Sequence, residues 1–247
     1  MKGVVTAGGL GTRLHPLTEV TNKHLLPVYD RPMIFYPIET LVQAGIRELM
    51  VITGGNNAGD FMKLLGNGER FGLKTIDYVY QKGAGGIAAA LSLAEHFAGG
   101  DPITVILGDN ILEDNLKTHV DSFKSGARLF FKEVKNPQQY GVPVFKDGRL
   151  IKIEEKPAKP KSPYAQIGVY MYDSYVFDFI RTLKPSKRGE LEITDLNNIY
   201  VRKKAMDHRI VKGYWVDAGT TIDSLFQASD FIARRRGGAA DRTGIEE

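Results

Sequence analysis

Residues 4–14, VVTAGGLGTRL, decide the fold: a short apolar run passes at once into a glycine-rich turn. This order is typical of α/β proteins that hold phosphates, because glycine tolerates positive φ and lets the backbone come close to a ligand. Consecutive backbone N–H groups in such a turn attract anions. Arg13 adds a planar, permanently charged side chain that matches phosphate geometry. The segment therefore predicts a strand followed by a phosphate-binding loop.

Further apolar runs alternate with helical patterns in the first half of the chain. They predict strands at residues 49–53, 76–80 and 103–107 and helices at 34–44 and 87–97. This alternation implies crossover connections and a mostly parallel sheet, with ligands beyond the C-terminal ends of the strands.

The pattern changes at about residue 127. It then predicts strands at 129–131, 142–145, 150–154 and 167–172, a hairpin turn at Asp147-Gly148, and helices at 190–201 and 224–236. We expect this half to extend the first sheet, giving a Rossmann-like α/β fold with a mixed, mostly parallel central sheet flanked by helices.

Composition limits the classes of function. The 247 residues include 33 Lys and Arg against 29 Asp and Glu, a net charge of +4, and no cysteine. The lack of cysteine excludes disulfides, thiolate catalysis and cysteine-bound metals, and it is compatible with the cytoplasm. Basic residues are spread along the chain, unlike those of a dedicated nucleic-acid binder, and no apolar stretch approaches the roughly 20 residues that cross a bilayer. We expect a cytoplasmic protein with neither nucleic acid nor membrane as its partner.

The glycine loop matches neither of the two common nucleotide motifs. It lacks the G-K-[ST] of a P-loop and the G-x-G-x-x-G of the dinucleotide fingerprint, which disfavours a dehydrogenase. Lys23 is a second cation close to the loop. Asp109 follows a predicted strand and Asp217 precedes a glycine turn, so two distant carboxylates could converge on a hard cation such as Mg²⁺. Taken singly, the lysine could be a solvated surface residue and either aspartate a turn cap.

Six motifs carry a resemblance that covers nearly the whole chain in order. They are the loop at 8–18 with NKHLLPV and PM at 22–33, then LGDN at 107–110, YGV at 140–142, EEKP at 154–157, RGELEITD at 188–195 and WVDAGT at 215–220. On these motifs the chain resembles the sugar-1-phosphate nucleotidylyltransferases. Together with the change at residue 127, this implies one nucleotidyltransferase domain, glycosyltransferase-A-like, at 1–236. It would have a nucleotide-binding half at 1–126, a sugar-binding half at 127–236, and a frayed tail at 237–247.

The resemblance also implies an activity and a cofactor. A thymidylyl group passes from dTTP to glucose 1-phosphate, which gives dTDP-glucose and pyrophosphate for nucleotide-sugar synthesis of the dTDP-rhamnose type. The step is an in-line attack on the α-phosphate that depends on Mg²⁺, with Asp109 and Asp217 as metal ligands. The implied catalytic residues are Arg13, Lys23, Asp109 and Lys156. We expect a homo-oligomer, either a dimer or a tetramer.

The binding residues that the resemblance implies fall into two groups. The nucleotide group comprises Gly8, Gly9, Gly11, Thr12, Arg13, Lys23, Gln81, which would read a pyrimidine edge, and Gly86, which would make room for the base. The sugar group comprises Asn110, Gly141, Glu155, Lys156 and Gln166. Glu155 would contact the hexose, Lys156 the sugar phosphate, and Gln166 the sugar through its backbone. We interpret His24 as structural or as a surface residue.

Two departures from the family pattern leave alternatives open. Ala89 stands where the family commonly has glutamine, which weakens dTTP relative to UTP. Little sequence follows Arg236, so we expect a short form without the family's C-terminal helical extension and its regulatory nucleotide site. The alternatives are a uridylyltransferase, an enzyme for another sugar 1-phosphate, and a non-catalytic nucleotide-sugar-binding regulator. The full set of charged residues in the motifs argues against the regulator.

Overall fold

The computed structural model describes residues 1–9 and 11–237. Its strands are β1 Lys2–Ala7, β2 Pro27–Val28, β3 Arg31–Pro32, β4 Glu48–Gly54, β5 Thr75–Gln81, β6 Ile103–Leu107, β7 Asn110–Leu112, β8 Ala127–Glu133, β9 Gly141–Lys146, β10 Arg149–Glu155, β11 Tyr164–Tyr172, β12 Met206–Ile210 and β13 Trp215–Asp217. Its α-helices are α1 Phe35–Gln43, α2 Ala58–Leu65, α3 Ile87–Ser92, α4 Glu95–Ala98, α5 Lys117–Ser122, α6 Val176–Thr182, α7 Ile193–Arg202 and α8 Ile222–Gly237.

A seven-stranded sheet forms the centre of the molecule, in the order β12-β8-β11-β6-β1-β4-β5. Strand β11 runs antiparallel to both neighbours, and the other four pairs are parallel. The predicted mixed, mostly parallel sheet is therefore confirmed. Because β1 pairs in parallel with β6, the glycine loop after Ala7 and the turn at Gly108-Asp109 emerge at the same edge of the sheet.

Apolar side chains cover both faces of the sheet, since successive residues of a strand point to opposite sides. Val4 packs with residues of α3, α6 and α7, whereas its neighbour Val5 packs with residues of α1 and α2. A third buried cluster joins Leu14 and Met33 to Val216 and the inner face of α8. This third cluster fixes the segments around residues 14–33 and 215–220 beside each other at the C-terminal edge of β1.

Two predicted helices are wrong in detail. The helix predicted at 87–97 is divided into α3 and α4, because Leu93 and Ala94 donate to carbonyls three residues back, at 3.1 and 3.0 Å, rather than four. The helix predicted at 190–201 begins only at Ile193, as α7. The preceding residues are extended, since the Leu191 N–H donates to the Gly85 carbonyl at 2.8 Å.

The predicted hairpin is present, but it does not extend the central sheet. Strands β9 and β10 pair antiparallel, and both turn residues, Asp147 and Gly148, have positive φ, at 50° and 73°. The two strands form a separate small sheet. The side-chain amide of Asn198 on α7 bonds both the N–H and the C=O of Ile153, at 2.9 and 2.8 Å, and so ties β10 to that helix. The expected extension of the sheet thus holds for β8 and β11 and is wrong for the hairpin.

The C-terminal part of the description ends with α8. Gly237, predicted as the start of a frayed tail, is the last residue of that helix, and residues 238–247 lie outside the described residues. Within the described ranges, none of the helices has both the length and the apolar character that crossing a membrane requires.

Candidate functional site

Two cavities lie side by side at the C-terminal edge of β1 and β6. The first has a volume of about 250 Å³ and is bordered by Thr6, Gly8, Gly9, Lys23, His24, Gln81, Gly83, Ala84, Gly86, Ile87, Ala90, Leu107, Asp109 and Glu190. The second, of about 450 Å³, is bordered by Arg13, Ile87, Leu107, Asn110, Gln139, Tyr140, Gly141, Glu155, Lys156, Gln166, Gly168, Tyr170, Ile193, Trp215, Asp217, Thr220 and Thr221. Ile87 and Leu107 border both, so the cavities adjoin.

A largely buried ion pair lies in the wall of the first cavity. Lys23 opens a short 3₁₀ turn that Asn22 caps by accepting from the His24 N–H at 3.0 Å. Its ammonium contacts Asp109 Oδ2, and the two side chains are only 16% and 8% exposed. Burial alone would lower the pKa of Lys23, but Asp109 and Asp217 outweigh it and raise that pKa. Burial alone would raise the pKa of Asp109, but the Lys23 ammonium holds it well below its usual range. The pair is therefore ionised at neutral pH.

Strand pairing brings the second aspartate to the same place. Strands β7 and β13 align Asp217 with Asn110, the residue after Asp109. The Ala218 N–H donates to the Asp109 carbonyl at 2.9 Å. Burial and then the charge of Asp109 raise the pKa of Asp217 to about 7. The structure thus places the two aspartates together, as a cluster of two carboxylates and one ammonium.

The first cavity is closed on one side by Gln81, the last residue of β5. Its amide nitrogen donates to the Gly86 carbonyl at 3.1 Å. A Cβ on Gly86, where φ is 90°, would lie 2.7 Å from the Leu191 carbonyl oxygen, so only glycine fits at this position. The bond from Gln81 therefore fixes the course of the loop that leads into α3.

The second cavity contains a charged group at the end of the hairpin. Glu155 ends β10, and its Oε2 accepts from the Thr194 hydroxyl at 2.5 Å. Lys156 Nζ lies 3.8 Å from Glu155 Oε1, and Arg188 Nη2 lies 4.0 Å from the same oxygen. Lys156 has a φ of 42°, a left-handed conformation that turns the chain away from the strand.

Asn110 is largely occupied by contacts within the protein. Its Oδ1 accepts from the Gly168 N–H at 2.9 Å and from Trp215 Nε1 at 2.8 Å. Its Nδ2 donates to Asp109 Oδ1 at 3.1 Å. These bonds orient the indole of Trp215 and the carboxylate of Asp109, and a direct contact of Asn110 with sugar stays a prediction.

The residues predicted for the site divide between the two cavities. The first takes Gly8, Gly9, Lys23, Gln81, Gly86 and Asp109. The second takes Asn110, Gly141, Glu155, Lys156, Gln166 and Asp217, and also Arg13, which the sequence analysis placed with the nucleotide. Gly11 and Thr12 border neither. Gly11 has a φ of 69°, and its carbonyl accepts from the Thr18 hydroxyl at 2.8 Å. Gly11 therefore helps to set the backbone conformation of the loop without lining either cavity.

Several residues of the cavity walls were not singled out from the sequence. Tyr140 and Trp215, in the wall of the second cavity, meet edge to face with ring centroids 5.6 Å apart. Thr194 borders neither cavity but donates a hydrogen bond to Glu155. Tyr140, Thr194 and Trp215 all lie inside motifs that the sequence analysis did quote. His24 is buried in the wall of the first cavity, and its Nδ1 contacts Asn22 Oδ1 at 2.7 Å. Burial lowers the pKa of His24 to about 3, so the ring is neutral.

The donor set fits a hard cation that brings other ligands with it. Within residues 1–9 and 11–237, no group of three or more histidine, aspartate or glutamate side chains is placed to hold a metal ion. Asp109 and Asp217 supply two carboxylates, and Mg²⁺ binds through one or two carboxylates together with water and substrate phosphates. A magnesium ion completed by phosphate oxygens therefore fits these residues.

The glycine loop, the central sheet and the cluster at its edge define a nucleotidyltransferase. The chain belongs to the nucleotidyl transferase family, whose model matches residues 2–235.

Among its relatives is a glucose-1-phosphate thymidylyltransferase of Neisseria meningitidis, 44% identical over 94% of this chain and 82% of the relative. One of the same name from Mycobacterium tuberculosis is 43% identical over 96% and 85%. A Bacillus anthracis protein described as a glucose-1-phosphate thymidylyltransferase and solved with sucrose is 47% identical, with a TM-score of 0.89 over 94% of both chains. A UDP-glucose pyrophosphorylase with UDP-glucose is 26% identical, with a TM-score of 0.83 over 95% and 99%.

Proposed function

We propose that this protein transfers a thymidylyl group from dTTP to glucose 1-phosphate and releases dTDP-glucose and pyrophosphate. The observation that carries the proposal is the pair of adjoining cavities, with the ion pair of Lys23 and Asp109 in the wall of the first and Asp217 in the wall of the second. Two substrates that react with each other need neighbouring sites with charged groups where their phosphates meet. The names of the relatives specify which nucleotide and which sugar phosphate we propose.

The first cavity is the proposed nucleotide site. All of its bordering residues except Glu190 come from residues 1–126, which supports a nucleotide half with those bounds. Gln81 and Gly86 take the base, and the backbone of the glycine loop takes the triphosphate. Most residues of the second cavity come from 127–236, which supports a sugar half there. In that half, Glu155 accepts a hydrogen bond from a sugar hydroxyl.

The proposed reaction is an in-line substitution at the α-phosphorus. A phosphate oxygen of the sugar phosphate forms the new P–O bond, the bond to the β-phosphate breaks, and pyrophosphate leaves. The attacking oxygen is already anionic, so no general base is needed. Lys23 and Arg13 neutralise charge on the triphosphate and the leaving pyrophosphate, and Lys156 does so for the sugar phosphate and the α-phosphate. Asp109 and Asp217 would hold a Mg²⁺ ion, which would supply further charge neutralisation at the phosphates.

UTP is the second candidate nucleotide. Ala89 lies against the loop that follows β5, since its Cβ is 3.0 Å from the position that a Cβ on Gly85 would occupy. Its methyl side chain offers no polar contact to a base. The structural similarity to a UDP-glucose pyrophosphorylase also favours this alternative. Homo-oligomer formation and a cytoplasmic location stay predictions from the sequence.

Release of pyrophosphate tests the proposal directly. The protein is incubated with Mg²⁺, glucose 1-phosphate and each of dTTP, UTP, ATP, GTP and CTP, and the nucleotide sugar is identified by mass spectrometry. We expect the fastest release with dTTP, with dTDP-glucose as the product. No release with any triphosphate would contradict an enzymatic role and would favour the regulator, whereas faster release with UTP would replace the thymidylyl assignment.

A further inference from the structure

A row of buried polar side chains leads from the core to the second cavity. The Tyr172 hydroxyl donates to Asn197 Oδ1 at 2.5 Å, and Asn197 Nδ2 donates to Gln166 Oε1 at 3.0 Å. Tyr172 and Asn197 are fully buried, and Gln166 is 7% exposed at the cavity wall. Because its carbonyl oxygen is taken by Asn197, Gln166 turns its amide nitrogen away from the core.

The amide nitrogen of Gln166 has a hydrogen available for a ligand. An amide nitrogen carries two hydrogens, and the Tyr170 phenol lies within hydrogen-bond reach of this amide. Burial raises the pKa of Tyr170, which keeps its phenol neutral, and the hydrogen bond with Gln166 opposes that shift only in part. Even with one N–H directed at Tyr170, the second N–H of Gln166 remains for the cavity.

The amide lies in the same wall as Glu155. A Cβ on Gly141 would be 3.4 Å from both Gln166 Cβ and Thr194 Oγ1, and Thr194 donates to Glu155. A hydrogen-bond donor and a carboxylate acceptor therefore flank Gly141. Neighbouring hydroxyl groups on a sugar ring require this combination, since each hydroxyl both donates and accepts.

We propose that the Gln166 side chain is a specificity-determining residue for the sugar 1-phosphate, donating a hydrogen bond to one ring hydroxyl oxygen. Asn197 is the positioning residue that sets the direction of the amide, and Tyr172 holds Asn197. This inference rests on the proposed function of the second cavity. It goes beyond the backbone contact predicted at position 166.

Deoxy sugars provide the test. Pyrophosphate release is measured with glucose 1-phosphate and its 2-, 3-, 4- and 6-deoxy analogues, for the unmodified enzyme and for Gln166→Met and Gln166→Glu. In the unmodified enzyme, loss of the hydroxyl that Gln166 contacts lowers kcat/KM by roughly threefold to tenfold, the range of one neutral hydrogen bond. In Gln166→Met that one penalty disappears, and in Gln166→Glu, whose free carboxylate oxygen can only accept from the hydroxyl, the size of that one penalty changes. In both variants the other three penalties remain, and the KM for the nucleotide is unchanged. Gln166→Glu still accepts from Asn197, so the test does not depend on the folding of Gln166→Met.

Two further variants separate positioning from general stability. In Asn197→Asp the carboxylate only accepts, so Gln166 turns its nitrogen inward and presents its carbonyl to the cavity. Because an acceptor then replaces the donor at that hydroxyl, the size of the same deoxy penalty changes, the other three penalties remain, the KM for the sugar rises and kcat is retained. Tyr172→Phe weakens the penalty, whereas Tyr200→Phe is the matched control. Tyr200 is a buried tyrosine on the helix of Asn197 whose ring packs on Tyr172, with centroids 5.7 Å apart, and whose hydroxyl donates to Asp173 at 2.9 Å. Within the described part of the chain it makes no hydrogen bond to Asn197 or Gln166.

The possible outcomes distinguish this inference from the proposed function. Turnover of glucose 1-phosphate with identical deoxy penalties in the unmodified enzyme and both Gln166 variants would overturn the role of Gln166 and leave the function standing. Equal effects of Tyr172→Phe and Tyr200→Phe on the penalties would overturn the positioning role. Absence of turnover in the unmodified enzyme would overturn the proposed function itself.

Discussion

Replacing Gly219 by alanine tests how tightly the Lys23–Asp109–Asp217 cluster is built. A Cβ at this position would lie 2.3 Å from Asp109 Oδ2 and 2.7 Å from Lys23 Nζ. The first distance is about 1 Å shorter than ordinary van der Waals contact. Gly219 does not have a positive φ, so alanine fits its backbone conformation and the substitution acts only through this steric clash.

The cost follows from how firmly the neighbours are held. The Lys23 ammonium sits on a flexible side chain, but Asp109 is 5% exposed and bonded to Asn110, so the carboxylate cannot retreat freely. Overpacking of this kind costs about 1–3 kcal/mol of the free energy of unfolding. A displacement of about 1 Å at the reacting groups lowers kcat on the order of 100-fold.

Urea unfolding and a magnesium titration of pyrophosphate release measure the two effects. The matched control is Gly59→Ala on α2, where a Cβ meets nothing within 4 Å. We expect Gly59→Ala to leave kcat unchanged and to raise the free energy of unfolding by about 0.5–1 kcal/mol. A kcat for Gly219→Ala within threefold of the unmodified enzyme, at the same magnesium concentration, would show that the cluster is not as rigid as the distances imply.

Three further predictions concern single side chains. Asp217→Asn should lower turnover on the order of 100-fold. It should not lower the free energy of unfolding at pH 8, because burial and Asp109 raise the Asp217 pKa to about 7 and so make its ionised form unfavourable in the folded protein. A lower free energy of unfolding in urea would contradict this.

Between pH 6.5 and about 3 the unfolded chain binds a proton at His24 that the folded protein does not. In this range the free energy of unfolding should therefore fall with each pH unit of acidification, and the fall should be about 1.4 kcal/mol per unit steeper in the unmodified enzyme than in His24→Gln. Equal slopes for the two proteins in urea unfolding measured across this pH range would refute the prediction. Glu155→Gln should lower kcat/KM for glucose 1-phosphate by about 10-fold to 100-fold, and a comparable rise in the KM for dTTP would argue against a sugar contact.

The sequence is sufficient to predict features that depend on local pattern or on parallel strand order. Short apolar runs separated by helical patterns predict β1, β4 and β6. Once these strands are parallel neighbours, their C-terminal ends must share one edge. The loop after Ala7 and Asp109 after β6 are therefore expected together, and they are. The turn at Asp147-Gly148 is equally local, since both residues must adopt positive φ.

Features that depend on contacts between distant segments were not predicted. The hairpin forms a sheet of its own and is tied to α7 by the bonds between Asn198 and Ile153, a contact across 45 residues of chain that no turn pattern encodes. Strands β7 and β13 have three residues each, too few to give a periodic pattern, yet their pairing puts Asp217 beside Asp109. The family motifs identify both aspartates, but only this pairing explains how they meet.

The charges of the cluster also explain why Lys23 is needed by the fold as well as by the proposed reaction. Two carboxylates and one ammonium leave one negative charge without a partner, and burial, followed by the charge of Asp109, raises the pKa of Asp217. Removing Lys23 would leave both carboxylates uncompensated, which costs several kcal/mol in a buried site. Lys23 borders the first cavity while it pairs with Asp109, so the same ammonium faces the proposed triphosphate. A cluster with one uncompensated negative charge attracts a divalent cation, whereas a fully neutralised ion pair would have no net charge to attract it.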